Sequence, residues 1–154
     1  MFDRIMQKLM SAAPDASRGL DAADARDAMA VILVHAARAD GAYEVAERDD
    51  IDRILAARYR LTPFEAGALR RQAEEGEASA AGLQRFTSAL KHAVPFEERV
   101  GIIEAVWELA YADGVRSAEE SALVRKLCGL LYVEDRDAGL ARQRVAARLG
   151  IDAD

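Results

Sequence analysis

Cysteine, proline and histidine are scarce in this chain of 154 residues, which contains one, three and two of them. The single cysteine, Cys128, excludes a disulfide framework and a cysteine-rich zinc site, and it favours a reducing compartment. No apolar run approaches the ~18 residues that a membrane-spanning helix needs. Acidic residues outnumber basic ones by 27 to 21, so the net charge of -6 leaves no overall basic footprint for nucleic acid.

The motifs that usually carry catalysis are also missing. The chain has no glycine-rich phosphate loop, no Gly-x-Ser-x-Gly elbow, no His-Glu-x-x-His and no Cys-x-x-Cys. His35 is interpreted as a satisfied or surface histidine rather than a metal ligand or base, and Cys128 as a small core residue rather than a nucleophile. We therefore do not expect an enzyme.

Hydrophobic residues make up 51% of the chain and charged residues 31%, a balance typical of a folded globular domain. Alanine is abundant, β-branched residues are sparse, and no segment alternates apolar and polar residues over a useful length. These features predict an all-α fold, a compact bundle of about seven or eight helices. Helices are predicted over about 2–12, 21–39, 45–59, 62–75, 79–92, 95–112, 117–131 and 136–149.

The clearest helix start is Thr62-Pro63-Phe64-Glu65, which offers an N-cap, a proline in the first turn and a capping-box glutamate. Helical spacing predicts the buried positions. They are Met29, Ile32, Leu33 and Ala36, then Ile51, Ile54 and Leu55, then Val100, Ile103, Val106, Trp107 and Ala110, then Leu123, Val124, Leu127 and Leu131, and finally Leu140, Val145 and Leu149. The acidic run 74–77 is interpreted as a solvated helix end.

The first predicted helix has one apolar face, and the charges that interrupt it argue against a signal peptide. The face contains Phe2, Ile5, Met6, Leu9 and Met10. It is expected to pack on the protein's own core, and a membrane surface is the alternative.

An internal repeat organises the chain. Ala39-Asp40-Gly41 recurs 73 residues later as Ala112-Asp113-Gly114, and the same spacing relates Glu47 to Glu120. Two such copies usually pack about a pseudo-two-fold axis and share one core. We therefore expect a single domain over 1–154. It would comprise an N-terminal helix and loop over 1–20, repeat one over about 21–75, a connecting helix over about 79–92 and repeat two over about 95–149.

The two Asp-Gly corners can bring carboxylates together because the chain reverses between each aspartate and its glutamate. Oxygen-only ligands suit a hard cation such as Ca²⁺, Mg²⁺ or Mn²⁺. An EF-hand is excluded, since Ala36 and Arg38 stand where its first two ligands belong. A cation site would therefore gather ligands from both corners.

Helix capping is the competing interpretation of the same residues. An Asp-Gly pair ends a helix, and a glutamate at the third position of the next helix completes a capping box. Ser117 with Glu120 fits this account, whereas Glu44 replaces the serine in the first copy and makes it weaker there. Clustered carboxylates ~5 Å apart repel by about 3 kcal/mol, and nearby arginines could neutralise them without metal. These are Arg38, Arg48 and Arg116.

Ala-Asp-Gly, five residues and then glutamate, placed twice in an all-helical chain, resembles the tellurite-resistance TerB-like family over about 21–149. It is also similar to the N-terminal domain of membrane-anchored DnaJ-type co-chaperones. The resemblance implies two related helical halves, an acidic divalent-metal site at the corners, and a cytoplasmic protein linked to stress or tellurite resistance. The implied ligands are Asp40, Glu47, Asp113 and Glu120, with Glu44 and Glu119 as secondary acidic residues.

Three functional hypotheses follow. The leading one is a cytoplasmic, non-enzymatic domain that binds a divalent cation or a protein partner through the acidic corners. The second is a structural helical interaction module without metal, whose apolar face docks on a membrane-associated protein or on a second copy of the chain. The third is a metal-dependent hydrolase, for which neither histidine is placed to supply a base. A nucleic-acid partner is not expected.

Overall fold

The computed structural model describes most of the chain between residues 22 and 150. The described residues are 22–38, 43–75, 87, 90–91, 94–112 and 118–150, without the side chains of 22–24 and 118–121. The predicted helix over 2–12, both Asp-Gly corners and most of the predicted connecting helix lie outside these residues.

All regular secondary structure in the described residues is helical, which confirms the all-α prediction. The helices are α1 (Ala22–Arg38), α2 (Val45–Tyr59), α3 (Pro63–Glu74), α4 (Phe96–Ala112), α5 (Ala118–Leu130) and α6 (Asp135–Leu149). The described part thus holds six helices where seven or eight were predicted for the whole chain, and the other two were predicted over 2–12 and 79–92. None of the described helices is long and apolar enough to cross a membrane.

The start of α3 has the predicted capping box. The Glu65 N–H donates to Thr62 Oγ1 at 3.1 Å, and the Thr62 N–H donates to Glu65 Oε1 at 2.9 Å. Hydrogen bonds from the backbone and side chain of Thr62 lower the pKa of the Glu65 carboxyl. Pro63 occupies the first helical turn, where its missing N–H costs no helical hydrogen bond.

Helices α2 and α5 end in the same way, 72 residues apart. Arg60 and Tyr132 follow them with left-handed φ angles of 54° and 55°. The N–H of Leu61 then donates to the carbonyl five residues earlier at 3.1 Å, and that of Val133 does the same at 2.9 Å. This pairing of a left-handed residue with a six-to-one hydrogen bond is the Schellman motif. Because neither left-handed residue is glycine, each turn carries a steric cost of about 1 kcal/mol.

Helices α1 and α4 form the centre of the core. Helix α1 packs against α2, α3 and α4, and α4 also packs against α2, α5 and α6. Every position predicted to be buried on α1, α2 and α4 is buried, including Trp107. Cys128 is 5% exposed, and burial raises the pKa of its thiol to about 11, as expected of a small core residue.

The predicted buried stripe of α6 is wrong at two positions. Leu140 and Leu149 are 43% and 45% exposed, whereas Ala141, Val145 and Ala146 are buried. The small alanine side chains allow α6 to lie close against α4, and this close packing turns the larger leucines outward.

An ion-pair ladder joins α4 to α6. Arg144 Nη2 lies 3.4 Å from Glu104 Oε2, and Arg148 contacts Glu108. Since the partners of both pairs are 40 residues apart, the two helices run in the same direction. Arg58 of α2 reaches the same Glu108 carboxylate at 3.3 Å. The N-termini of α4 and α6 therefore lie at the same end of the molecule.

Candidate functional site

The predicted acidic site is only partly within the described residues. Asp40 and Asp113 lie outside them, and the side chains of Glu119 and Glu120 are not described. The convergence of four carboxylates thus remains a prediction. Among the residues that the structure does describe, no group of three histidine, cysteine, aspartate or glutamate side chains is arranged to hold a metal ion.

Glu47, the predicted ligand that is described, caps the start of α2. Its Oε2 accepts a hydrogen bond from the Glu44 N–H at 3.1 Å, and the two residues form a reciprocal capping box. The capping interpretation therefore applies to Glu47 in the first copy, while Ser117 and the Glu120 side chain of the second copy lie outside the described residues, so the comparison between the copies stays a prediction. A carboxylate has about four lone-pair sites, so one capping bond leaves Glu47 able to coordinate a cation.

A cluster around Tyr43 lies directly after the first corner. We call Arg38, Tyr43, Arg48, Arg70 and Glu74 the Tyr43 cluster. The Tyr43 hydroxyl donates to Glu74 Oε2 at 2.5 Å. The guanidinium carbons of Arg38 and Arg48 lie 5.2 and 5.1 Å from the centre of the Tyr43 ring, within cation–π range. Arg38 also donates to the Glu74 carbonyl at 3.1 Å.

Arg70 connects this cluster to the middle of α2. Its Nη1 donates to Glu74 Oε2 at 2.9 Å, and its Nε donates to Asp52 Oδ1 at 2.7 Å. The Arg70 side chain is only 11% exposed. Its burial alone would lower the pKa of Arg70, but the hydrogen bonds to Asp52 and Glu74 outweigh burial and raise it.

The hydrogen bond between Tyr43 and Glu74 raises the pKa of the tyrosine and lowers the pKa of the glutamate. Burial and the bond to Glu74 raise the pKa of Tyr43 to about 12. Burial alone would raise the pKa of Glu74, yet the hydrogen bonds from Tyr43 and Arg70 lower it. The pair is therefore a neutral phenol and a carboxylate at neutral pH, with Arg70 and Arg48 as nearby positive charges.

Sequence reasoning missed this cluster. It interpreted Glu74 as part of a solvated helix end, whereas the Glu74 side chain is 21% exposed and contacts Tyr43 and Arg70. It also considered Arg38 and Arg48 only as neutralisers of the corner acids. The spacing of Arg70 and Glu74, four residues apart on one helix, is the signal that could have indicated their ion pair.

Aromatic side chains pack near the C-terminus of α4, the helix that precedes the second corner in the sequence. The rings of Trp107 and Tyr111 stack near the C-terminus of α4 with their centres 5.6 Å apart. The guanidinium carbon of Arg142, on α6, lies 5.8 Å from the Trp107 ring. His35 is half-buried on α1, and burial together with the charges of Lys126 and Arg38 lowers its pKa. Its imidazole is therefore neutral at neutral pH.

Comparison with known proteins identifies the family. No curated protein and no solved structure shows significant similarity to the chain. The family model described as tellurite resistance protein TerB matches residues 26–143, a range that includes both Asp-Gly corners. The chain therefore belongs to the TerB family of tellurite-resistance-associated proteins.

Proposed function

We propose that this TerB-family chain is a non-enzymatic, cytoplasmic stress-response protein that binds a divalent cation at its two acidic corners. The proposed ligands are Asp40, Glu47, Asp113 and Glu120, with Glu44 and Glu119 as secondary acidic residues. The family is generally not enzymatic, which agrees with the absence of catalytic motifs from the sequence. The observation that carries the proposal is the Tyr43 cluster beside the first corner.

The Tyr43 cluster supports the proposal because it fixes both flanks of the four residues 39–42. Arg38 precedes them and Tyr43 follows them, and both contact Glu74. The capping box holds Glu47 one turn further along the chain. A site whose flanks are already held in place loses less conformational entropy when it binds a ligand.

The contacts of the cluster also bear on the metal-free alternative, in which Arg38 and Arg48 neutralise the corner acids. Arg38 and Arg48 both stack on Tyr43, Arg38 donates to the Glu74 carbonyl, and Arg48 Nε lies 3.9 Å from Glu74 Oε2. The two arginines that could neutralise the corner acids, Arg38 and Arg48, therefore also contact Tyr43 and Glu74. When bound, a divalent cation would supply the charge that offsets the repulsion among the corner carboxylates.

The internal repeat is the reason that the proposed site includes the second corner. The matching left-handed turns at Arg60 and Tyr132 support a structural equivalence of the two halves at a spacing of 72 residues. The corners themselves repeat at a spacing of 73 residues, one more than the turns, and at that spacing Asp113 and Glu120 correspond to Asp40 and Glu47. The donor set is then all carboxylate, which suits Ca²⁺, Mg²⁺ or Mn²⁺.

Thermal unfolding of chelator-stripped protein with each of these cations tests the proposal. A hundredfold excess over the dissociation constant stabilises a folded protein by about 2.7 kcal/mol, a rise in melting temperature of several degrees for a chain of this size. The rise should disappear in the double variant Asp40→Asn/Asp113→Asn. It should persist in Asp49→Asn/Asp135→Asn, which removes the same charge at exposed positions of both halves. A wild type that responds to none of the cations would contradict the proposal.

A metal-free protein-interaction module is the second candidate. It is favoured by a separate observation, a groove between α4 and α6 that is lined by Phe96, Glu97, Val100, Glu104, Asp137 and Arg144 and is far in sequence from the first corner. A chain that shows no cation response and still binds a partner in this groove would be such a module.

A further inference from the structure

A groove of about 300 Å³ lies between α4 and α6. Its lining residues are Phe96, Glu97, Val100, Glu104, Asp137 and Arg144. Glu97 and Asp137 are 40 residues apart, like the partners of the ion-pair ladder, so they face each other near the shared N-terminal end of the two helices. We call this feature the N-terminal groove.

The charge of the N-terminal groove is only partly balanced. Glu104 is paired with Arg144 at 3.4 Å and with Arg148 at 3.8 Å. By contrast, Glu97 and Asp137 have no ion pair or hydrogen-bonded side chain among the described residues. Two unpaired carboxylates therefore border the groove, and their negative charge favours a positively charged occupant.

The helix dipoles alone do not account for this arrangement. Acidic side chains in a first turn stabilise a helix, and both helices have two of them, Glu97 and Glu98 on α4 and Asp135 and Asp137 on α6. Glu98 and Asp135 meet that need without lining the groove. Each helix start therefore has one acidic residue that lines the groove and one that does not, and the second serves as a control for the first.

Two of the six lining residues of the groove, Phe96 and Val100, are apolar. Val100 is 8% exposed and Phe96 is 39% exposed. The guanidinium carbon of Arg99 lies 5.6 Å from the centre of the Phe96 ring, so an incoming group would contact the part of the ring that Arg99 leaves open. An apolar surface below two carboxylates matches the chemistry of a lysine or arginine side chain, which has an aliphatic stem and a charged end. A bare metal ion would gain nothing from the apolar part, and the groove carboxylates do not form a metal-binding group.

We propose that the N-terminal groove is a docking site for a basic, extended segment of a partner protein. A lysine or arginine stem of the segment lies along Phe96 and Val100, and its charged end lies between Glu97 and Asp137. This proposal is independent of the cation site, because it uses none of the corner residues.

Fluorescence anisotropy with a labelled eight-residue peptide of alternating lysine and leucine tests the proposal on the full-length chain. We expect binding that weakens as salt is raised and that is absent for the same peptide with glutamate in place of lysine. The variant Glu97→Gln/Asp137→Asn should weaken binding about five- to tenfold, as expected for the loss of two partly exposed ion pairs. The matched control Glu98→Gln/Asp135→Asn should change it less than twofold.

Three results would overturn the proposal. Equal weakening by the two double variants would show a general attraction of basic peptides to an acidic protein. If neither double variant weakened binding, the peptide would bind elsewhere on the protein. Displacement of the peptide by spermidine at the affinity of the peptide itself would show that the groove selects small polyamines and not a protein segment. Melting temperatures of both double variants, measured alongside, establish that the compared proteins are folded.

Discussion

Replacing Tyr43 with phenylalanine removes one hydroxyl group and leaves the ring on which Arg38 and Arg48 stack. The variant loses the hydrogen bond that the Tyr43 hydroxyl donates to Glu74 Oε2 at 2.5 Å. Hydrogen bonds to charged groups contribute about 1.5–3 kcal/mol. Because Glu74 keeps its bond to Arg70, we expect the lower value, a loss of about 1.5 kcal/mol in the free energy of unfolding. For a chain of this length that loss lowers the melting temperature by about 3–6 °C.

Urea unfolding followed by tryptophan fluorescence measures this loss, and Tyr59→Phe is the matched control. Tyr59 is half-buried, and burial is the main reason that its pKa is raised. The structure gives its hydroxyl no hydrogen bond among the described residues, so its removal should cost less than about 0.5 kcal/mol. Equal losses in the two variants would refute the idea that the bond to Glu74 stabilises the protein.

The pH dependence of the Tyr43→Phe effect has a defined sign. The pKa of Tyr43 is raised from 10.0 to about 12, so the contribution of its neutral phenol is complete below pH 10 and is lost as pH rises toward 12. The pKa of Glu74 is lowered from 4.5, so the contribution of its carboxylate is present above that pH and is lost as pH falls below it. The difference in stability between wild type and variant should therefore be constant near neutrality and shrink at both extremes.

Two further substitutions test other parts of the fold by urea unfolding. Arg60→Gly should stabilise the protein by about 1 kcal/mol because glycine adopts the left-handed turn without steric cost, whereas Ala57→Gly inside α2 should destabilise it by a similar amount. A loss of stability in Arg60→Gly would contradict the turn geometry. Glu108→Gln should cost about 1 kcal/mol at low salt by weakening its pairs with Arg58 and Arg148, and less in 1 M NaCl. An effect that does not depend on salt would exclude ion pairing as its cause.

The features that follow from local sequence were predictable. The bounds of α2 agree with the prediction, and α3 starts at the expected capping box, because helix starts depend on the chemistry of a few consecutive residues. The buried stripes of α1 and α4 were predictable for a related reason. Central helices are apolar on a broad face, so a small error in helix rotation leaves the same residues buried.

Features that depend on contacts between distant segments were not predictable from one sequence. Tyr43 and Glu74 are 31 residues apart, and nothing in the local sequence indicates that they meet. The exposure of Leu140 depends on how closely α6 approaches α4, which only the packed structure determines. At the candidate site, sequence reasoning named Glu47 and placed Glu44 at its capping position, and the contribution of Asp40 and Asp113 stays a prediction.

The described residues that flank the two corners in the sequence differ in chemistry, which affects how a cation titration should be interpreted. At the proposed spacing of 72 residues, Arg142 corresponds to Arg70, yet it lies over the Trp107 ring where Arg70 pairs with Glu74. The ion pair of Arg70 with Glu74 weakens when salt screens it or when Glu74 is protonated. The contact of Arg142 with the Trp107 ring depends more on apolar packing. Cation affinity that falls in acid therefore does not by itself report protonation of the ligands, because protonation of Glu74 also makes the surroundings of the first corner more positive. The Tyr43→Phe variant separates the two causes, since it alters those surroundings and leaves all four proposed ligands in place.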